Sequence, residues 1–394
     1  MDATGQRGSI NRPFLTLAAA IAAAQTGDTI LVAPGTYTTT VTPAVVGKNL
    51  TIEGLGSPDT CVLRSTTGAA LSCPGAAAQY LNLINIALIS TVAGPAFQMG
   101  PGGNVLTTAF LRANNVQFFA PGGGANSATL QGLANVELTN CQGSLLLEDV
   151  TTGQILGHSG GGNVEVSRAV DNAGIIYFRE SKLGDVRFGV VPRVNFDRTT
   201  TVGILSTDGD LDVDAQIKFA GTADSASFDF GGAASTGMSF DNATFLGACA
   251  LTTQAPLVGG GQKVSAKGAK FYGGIQASAT GLGPLVIDNR TGYCNMAAST
   301  WVSTEFDRDQ TIVKGVTIAA GTNGVAFGAG DFAGLPPFPN GASVAWSAQP
   351  VAALAAIADL PYPSSQNAAG CDFTSTAGTT ADITIARAEG GAVP

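Results

Sequence analysis

Residues 13–54 read PFLTLAAAIAAAQTGDTILVAPGTYTTTVTPAVVGKNLTIEG. Residues 13–25 are alanine-rich, open on Pro13 and place Leu17 and Ile21 four apart, so they are read as a short helix with one apolar stripe. Gly27-Asp28 is a turn, Thr29–Val32 a strand and Pro34-Gly35 a second turn. Residues 49–56, NLTIEGLG, are another short strand closed by glycine. The stretch is thus one helix and then short strands with glycine joints.

Downstream the chain shows no long helical period before about residue 350. Short apolar–polar–apolar runs recur, many introduced by asparagine: Leu81-Asn82-Leu83-Ile84-Asn85-Ile86, Asn115-Val116-Gln117-Phe118, Asn135-Val136-Glu137-Leu138, Asn163-Val164-Glu165-Val166 and Val194-Asn195-Phe196-Asp197. Val116, Val136, Val164 and Val194 are spaced by 20, 28 and 30 residues, and Phe245, Phe271 and Trp301 by 26 and 30. A loose period of this size points to a solenoid. Helical solenoids fail on periodicity, and leucine-rich repeats fail on the missing L-x-x-L-x-L pattern. Propeller blades need about 40–45 residues each. A β-sandwich also has short strands, but no hairpin pattern dominates here. The expected fold is all-β: a single-stranded right-handed parallel β-helix with an N-terminal helical cap and a small C-terminal cap or assembly segment.

Composition narrows the function. The 394 residues hold 53 glycines, and 45% are apolar, enough for a large core. Nineteen basic against 28 acidic residues give a net charge of −9, which repels a polyanion, so no nucleic-acid partner is expected. His158 is the single histidine, so a His-rich metal site is impossible and any His-dependent acid–base step must pass through it. The six cysteines, at 61, 73, 141, 249, 294 and 371, form no C-x-x-C pair and are read as mostly free, buried thiols. Residues 15–24 are too short to span a bilayer, so no membrane insertion is expected. Met1-Asp2-Ala3-Thr4 carries no basic, then apolar, leader, and the expectation is a protein made in the cytoplasm. On that ground the N-x-S/T sequons at Asn49, Asn242 and Asn289 are read as chance.

The segment 2–54 resembles the opening of the pectin-lyase-like right-handed β-helix superfamily. The likeness lies in the alanine-rich helix, Gly27-Asp28-Thr29-Ile30, Ala33-Pro34-Gly35-Thr36-Tyr37 and Leu50-Thr51-Ile52-Glu53-Gly54. The resemblance implies that the helix plugs the solenoid end and that the next strands begin the first coils. It speaks for fold and is nearly silent on function, because the superfamily spans polysaccharide lyases and hydrolases, bacteriophage tailspikes and other virion proteins, and adhesins. The implied organisation is 1–48 as cap and first strands, 49–328 as β-helix and 329–394 as C-terminal cap or assembly segment. Residues 349–360 are read as a short helix, and 381–386 return to alternation.

Three constellations invite a chemical reading. Gly157-His158-Ser159-Gly160-Gly161 matches G-x-S-x-G, but a nucleophile elbow needs a helix after the serine and a second histidine elsewhere, so a glycine-rich turn is expected. Asp208, Asp210, Asp212 and Asp214 alternate at period two and would share one face of a strand. They are cation candidates, against the competing reading of a solvated outer face. An EF-hand is excluded because Val213 stands where its glycine belongs. A glycosidase pair could arise from Asp185 below Asp212 if Leu183 stacks under Leu211. The pectate-lyase set of calcium aspartates, arginine and Asp-His has no match, so no catalytic residue and no cofactor are assigned.

The expectation is a structural virion surface protein of a bacteriophage or similar virus, such as a spike, fibre or capsid decoration, that contacts other virion proteins and host glycans. The alternatives are a virion-associated polysaccharide depolymerase and a bacterial surface adhesin. Phe118-Phe119 and Tyr177-Phe178 are consecutive aromatics, so one of each pair should face outward on a strand. Such outward aromatics on a charge-poor chain favour closed self-association, and a homotrimer is expected.

Overall fold

A computed structural model describes residues 5–250 apart from 75–77, 102–105, 122–125, 161, 169–173, 191, 209–210, 212–214, 230–236 and 248; beyond residue 250 it describes the backbone of strands alone. The chain divides into two compact units, Met1–Val202 and Gly203–Pro394.

In the first unit one parallel run begins at Thr29–Val32 and passes through Leu50–Gly54, Tyr80–Ile84, Phe110–Asn114, Asn135–Thr139, Thr152–Leu156, Ile176–Arg179 and Arg193–Phe196. A second runs from Leu71–Cys73 through Phe97–Met99, Ala128–Gln131, Leu145–Glu148 and Val164–Ser167 to Val186–Phe188. A shorter third joins Gly35–Thr39, Cys61–Ser65, Ala87–Ser90 and Gln117–Phe119. Each strand thus pairs with the equivalent strand one circuit away, and the fold is all-β in long parallel sheets, consistent with a solenoid of stacked coils. The circuit takes 30 residues between Asn85 and Asn115, 25 between Arg112 and Glu137, and 17 between Asn135 and Thr152.

Period-two alternation explains the core. Leu81 and Leu83, Leu111 and Ala113, and Val136 and Leu138 are buried while their neighbours face out. Each such leucine or valine contributes about 1.5–3 kcal/mol through burial. All four valine anchors are buried, but they are not stacked on one another. Val136 lies beside Leu111, Val164 beside Leu145 and Val194 beside Ile176, while Val116 lies in the corner between Phe110–Asn114 and Gln117–Phe119. Their spacing therefore mixes positions on the circuit and is not its length. In the second unit, Phe245 does pair with Phe271, whereas Trp301 pairs with Leu282. Phe219, Phe228, Phe240 and Phe245 build that unit's aromatic core, with ring centroids 5.2–5.8 Å apart. Val313–Ala319 and Cys371–Thr376 there flank Thr380–Ile385 in antiparallel pairs, while Val344–Trp346 pairs parallel with Cys371–Thr376. The expected helix at 349–360 lies outside the described residues.

Several local readings change. The helix is Leu17–Ala23, not a run from Pro13, because Thr16 caps it: its Oγ1 accepts the Ala19 N–H at 3.2 Å. Leu17 and Ile21 are its buried pair, and Lys48 Nζ donates to the last-turn carbonyls of Ile21 and Ala22. Asn115 does not begin a strand. It forms a corner between Phe110–Asn114 and Gln117–Phe119 with φ +54°. Asn85, Asn140, Gly157 and Glu180 occupy the same corner in neighbouring coils, all with φ between +50° and +62°. Asparagine tolerates the left-handed region, and Asn115 Nδ2 donates to Asn85 Oδ1 at 2.8 Å. Lys182 lies against Thr201, which sets Leu183 beside Val202 and not under Leu211. The register expected for a carboxylate pair at Asp185 and Asp212 is therefore overturned, and Asp212 lies outside the described residues. Cys61, Cys73, Cys141 and Cys249 are buried thiols outside any disulfide, as expected.

Candidate functional site

Outward positions on the first parallel run line up because coils stack in register. Tyr80 lies beside Phe110, and their rings stack at 5.1 Å with 8° between planes. That separation follows from the inter-strand spacing of about 4.8 Å, which suits offset aromatic stacking. Next to this pair runs a file of Asn82, Arg112, Glu137, Gln154, Tyr177 and Asn195, each the register neighbour of the one before. The Arg112 guanidinium lies 5.8 Å from the Phe110 ring and its Nε donates to Glu137 Oε2 at 2.8 Å, which raises the arginine's pKa.

Farther along, the Arg179 guanidinium lies 5.6 Å from the Tyr177 ring. Arg179, Lys182 and Arg198 are exposed and, among the described residues, have no carboxylate within ion-pair distance. Asp197, the register neighbour of Arg179, turns its oxygens to the chain itself. It accepts from Thr199 Oγ1 at 2.8 Å, Thr200 Oγ1 at 2.7 Å and Thr200 N–H at 2.9 Å. Burial works against its ionisation, but these hydrogen bonds prevail and hold the carboxyl below its usual range. The face thus offers flat rings for stacking and amides and guanidinium groups for hydrogen bonding, with the exposed Glu180 and the Asp197 carboxyl in the neighbourhood of Arg179.

The residues singled out from sequence fall elsewhere. Asp208 is exposed, while Asp210, Asp212 and Asp214 lie outside the described residues. Among the described residues no three His, Cys, Asp or Glu side chains come together as a metal site would require. Gly157 and His158 form a coil corner. Ser159–Gly160 is a strand that pairs with Lys182–Leu183, and the next element, Val164–Ser167, is again a strand, so no helix follows the serine. Gly157 adopts φ +62°, and a Cβ there would come within 2.5 Å of Asn140 Oδ1. His158 points inward at 1% exposure, and burial pushes its pKa down.

A cavity of about 520 Å³ lies among residues 6–14, the helix and the first strands. Arg7 closes its rim through a two-pronged ion pair with Asp28, both contacts at 2.5 Å. The Arg7 hydrogen bond, followed by the Gln25 N–H, lowers the Asp28 carboxyl to about 2.

Sequence reasoning picks out Tyr177 as half of an aromatic pair but misses Tyr80, Phe110, Arg112 and Glu137. Their signal is present as the outward positions of alternating strands, yet only register reveals that they adjoin. Comparisons with protein-family models, with curated proteins and with solved structures found no match to this chain.

Proposed function

We propose that the chain is a right-handed parallel β-helix of the pectin-lyase-like kind, with the helix Leu17–Ala23 as its N-terminal cap and residues 329–394 as a cap or assembly segment. In this reading it is a structural virion surface protein of a bacteriophage or similar virus, and the outer face of its first sheet contacts an acidic host glycan. The fold part rests on the resemblance of residues 2–54 and on the parallel, coil-by-coil register. The functional part is carried by one observation: Tyr80, Phe110, Arg112, Tyr177 and Arg179 share one sheet face, and Arg179 has no carboxylate within ion-pair distance among the described residues. Aromatic rings stack against sugar faces, and arginine grips a carboxylate through two parallel hydrogen bonds. Loss of one such contact costs about 1–3 kcal/mol, or roughly tenfold or more in affinity.

Calorimetry of the purified chain with acidic host capsular polysaccharide should therefore show binding that weakens as salt rises. Tyr177→Ala and Arg179→Gln should each weaken it about tenfold while the circular-dichroism spectrum stays unchanged. Absence of binding, or binding by both variants as tight as by the wild type, overturns the glycan reading. New reducing ends released from the polysaccharide would favour a depolymerase instead.

The second expectation concerns assembly. Phe118 is 2% exposed and Phe119 56%, while Phe178 is buried and Tyr177 half-buried, so each aromatic pair does send one ring outward. In a homotrimer, Phe119 lies at the subunit contact. Light scattering should give about three chains per particle, and Phe119→Asp should shift it towards one. A wild-type chain that stays monomeric at micromolar concentration rules the trimer out.

A further inference from the structure

We propose that His158 is an acid-sensitive latch in the first unit, which holds the middle coils closed at neutral pH and loosens them when its ring takes up a proton. The geometry is specific. Strand Thr152–Leu156 ends at the Gly157 corner, and the next side chain, His158, is turned into the interior. It stands in an inward file with Cys141 on one side and Ser181 on the other, the neighbours set by the Gln142–Ser159 bridge and the Ser159–Lys182 pairing.

His158 Nε2 lies 2.8 Å from Gly143 O, an acceptor only, so Nε2 carries the proton of the neutral ring. Nδ1 is then a buried lone pair with no hydrogen-bond partner among the described residues. Ser181 cannot supply one, because its hydroxyl donates to Arg179 O at 2.8 Å. Nor, among the described residues, does any charged group await a protonated ring. Cys141 faces it as a neutral thiol, its pKa pushed up to about 12 by burial. The inward side chains of the same coils on the other two strands are apolar: Leu138, Ile155 and Phe178 on one, Leu147, Val164 and Val166 on the other. The buried Asp149 and Arg168 belong to a different corner of the coil, past Leu145–Glu148 and Val164–Ser167.

A second proton must therefore enter at Nδ1 and create a buried cation with no counter-charge among the described residues, which the closed coil opposes. Above the ordinary histidine value of 6.5 the folded and unfolded chains both keep the ring neutral, and nothing is lost. As pH falls below 6.5 the unfolded chain binds the proton and the folded chain does not, so stability declines until the depressed folded value is reached. One extra proton on the open state makes the opening equilibrium about tenfold more favourable for each pH unit across that window.

His158 is the single histidine, so the test is clean on the full chain. Urea midpoints at pH 7.5, 6.5, 5.5 and 5.0 should fall more steeply for the wild type than for His158→Gln and His158→Met. In the intact wild type, the one imidazole Cε1–H resonance should keep its neutral position until the pH at which the coils open. Equal pH slopes in wild type and variants overturn the latch. So does an imidazole that titrates near 6.5 while the protein stays folded, and this resonance decides the matter alone if neither variant folds.

Discussion

Phe178→Ala is expected to destabilise the first unit by about 3–5 kcal/mol, read as a drop in the urea midpoint with little change in slope. Phe178 is fully buried on Ile176–Arg179, stacked on Phe196 from the next coil at 4.9 Å and 11° between rings. Phe196 in turn meets Phe188 edge-on at 6.2 Å. Truncation removes the stacked ring and leaves a cavity bounded by strands of three coils, which parallel hydrogen bonds keep from collapsing. Phe178→Leu keeps most of the volume and should cost clearly less. A loss below about 1 kcal/mol for the alanine variant would mean that the coil interior relaxes around the gap.

The second large effect is expected at Arg168, which is 2% exposed. Its Nη2 donates to Gly174 O at 2.6 Å and Thr151 O at 3.4 Å. The Glu148–Ser167 pairing sets Arg168 beside Asp149, which is also buried. Arg168→Met leaves two carbonyls without their donor and takes the positive charge from the side of a buried carboxyl, a change worth about 3–5 kcal/mol. Arg168→Lys keeps the charge but not the planar fork, so its loss should be intermediate. Equal midpoints for Arg168→Met and wild type would show that the buried guanidinium contributes no net stability. Both variants are read by the same denaturation experiment, which makes their order a check on the packing around the guanidinium.

What can be read from the chain depends on the range of the forces involved. The alternation in Leu81-Asn82-Leu83 and Asn135-Val136-Glu137-Leu138 is local, because successive residues of any strand face opposite ways. It is enough to find strands, to mark Val116, Val136, Val164 and Val194 as core, and to assign one ring of Phe118-Phe119 to the outside. The glycine-rich reading of residues 157–161 also needs only local information, since a helix must follow a nucleophile elbow and the sequence there alternates like a strand.

Register is not legible. Stacking relates residues a full circuit apart, and the circuit varies between 30 residues at Asn85–Asn115 and 17 at Asn135–Thr152 as the corner segments change length. No local pattern reports that length, so a stacking of Leu183 under Leu211 could only be supposed, whereas the Lys182–Thr201 pairing puts Leu183 beside Val202. The adjacency of Tyr80 with Phe110, and of Arg112 with Glu137, escapes the sequence for the same reason. Asparagines such as Asn115 look like strand openers because they precede apolar residues. Their left-handed corner conformation is stabilised by the equivalent corner of the next coil, which only the stacked chain provides.

The sequence by itself determined the β character, the inward and outward sides of most strands, and the short N-terminal helix, since these depend on side-chain periodicity and backbone preference within a few residues. Tertiary structure alone decided which coils meet where, and with that the aromatic and arginine face, the buried environment of His158 and the company of Arg168. Those features arise when parallel hydrogen bonds bring distant circuits to about 4.8 Å, a contact that no neighbouring residues encode.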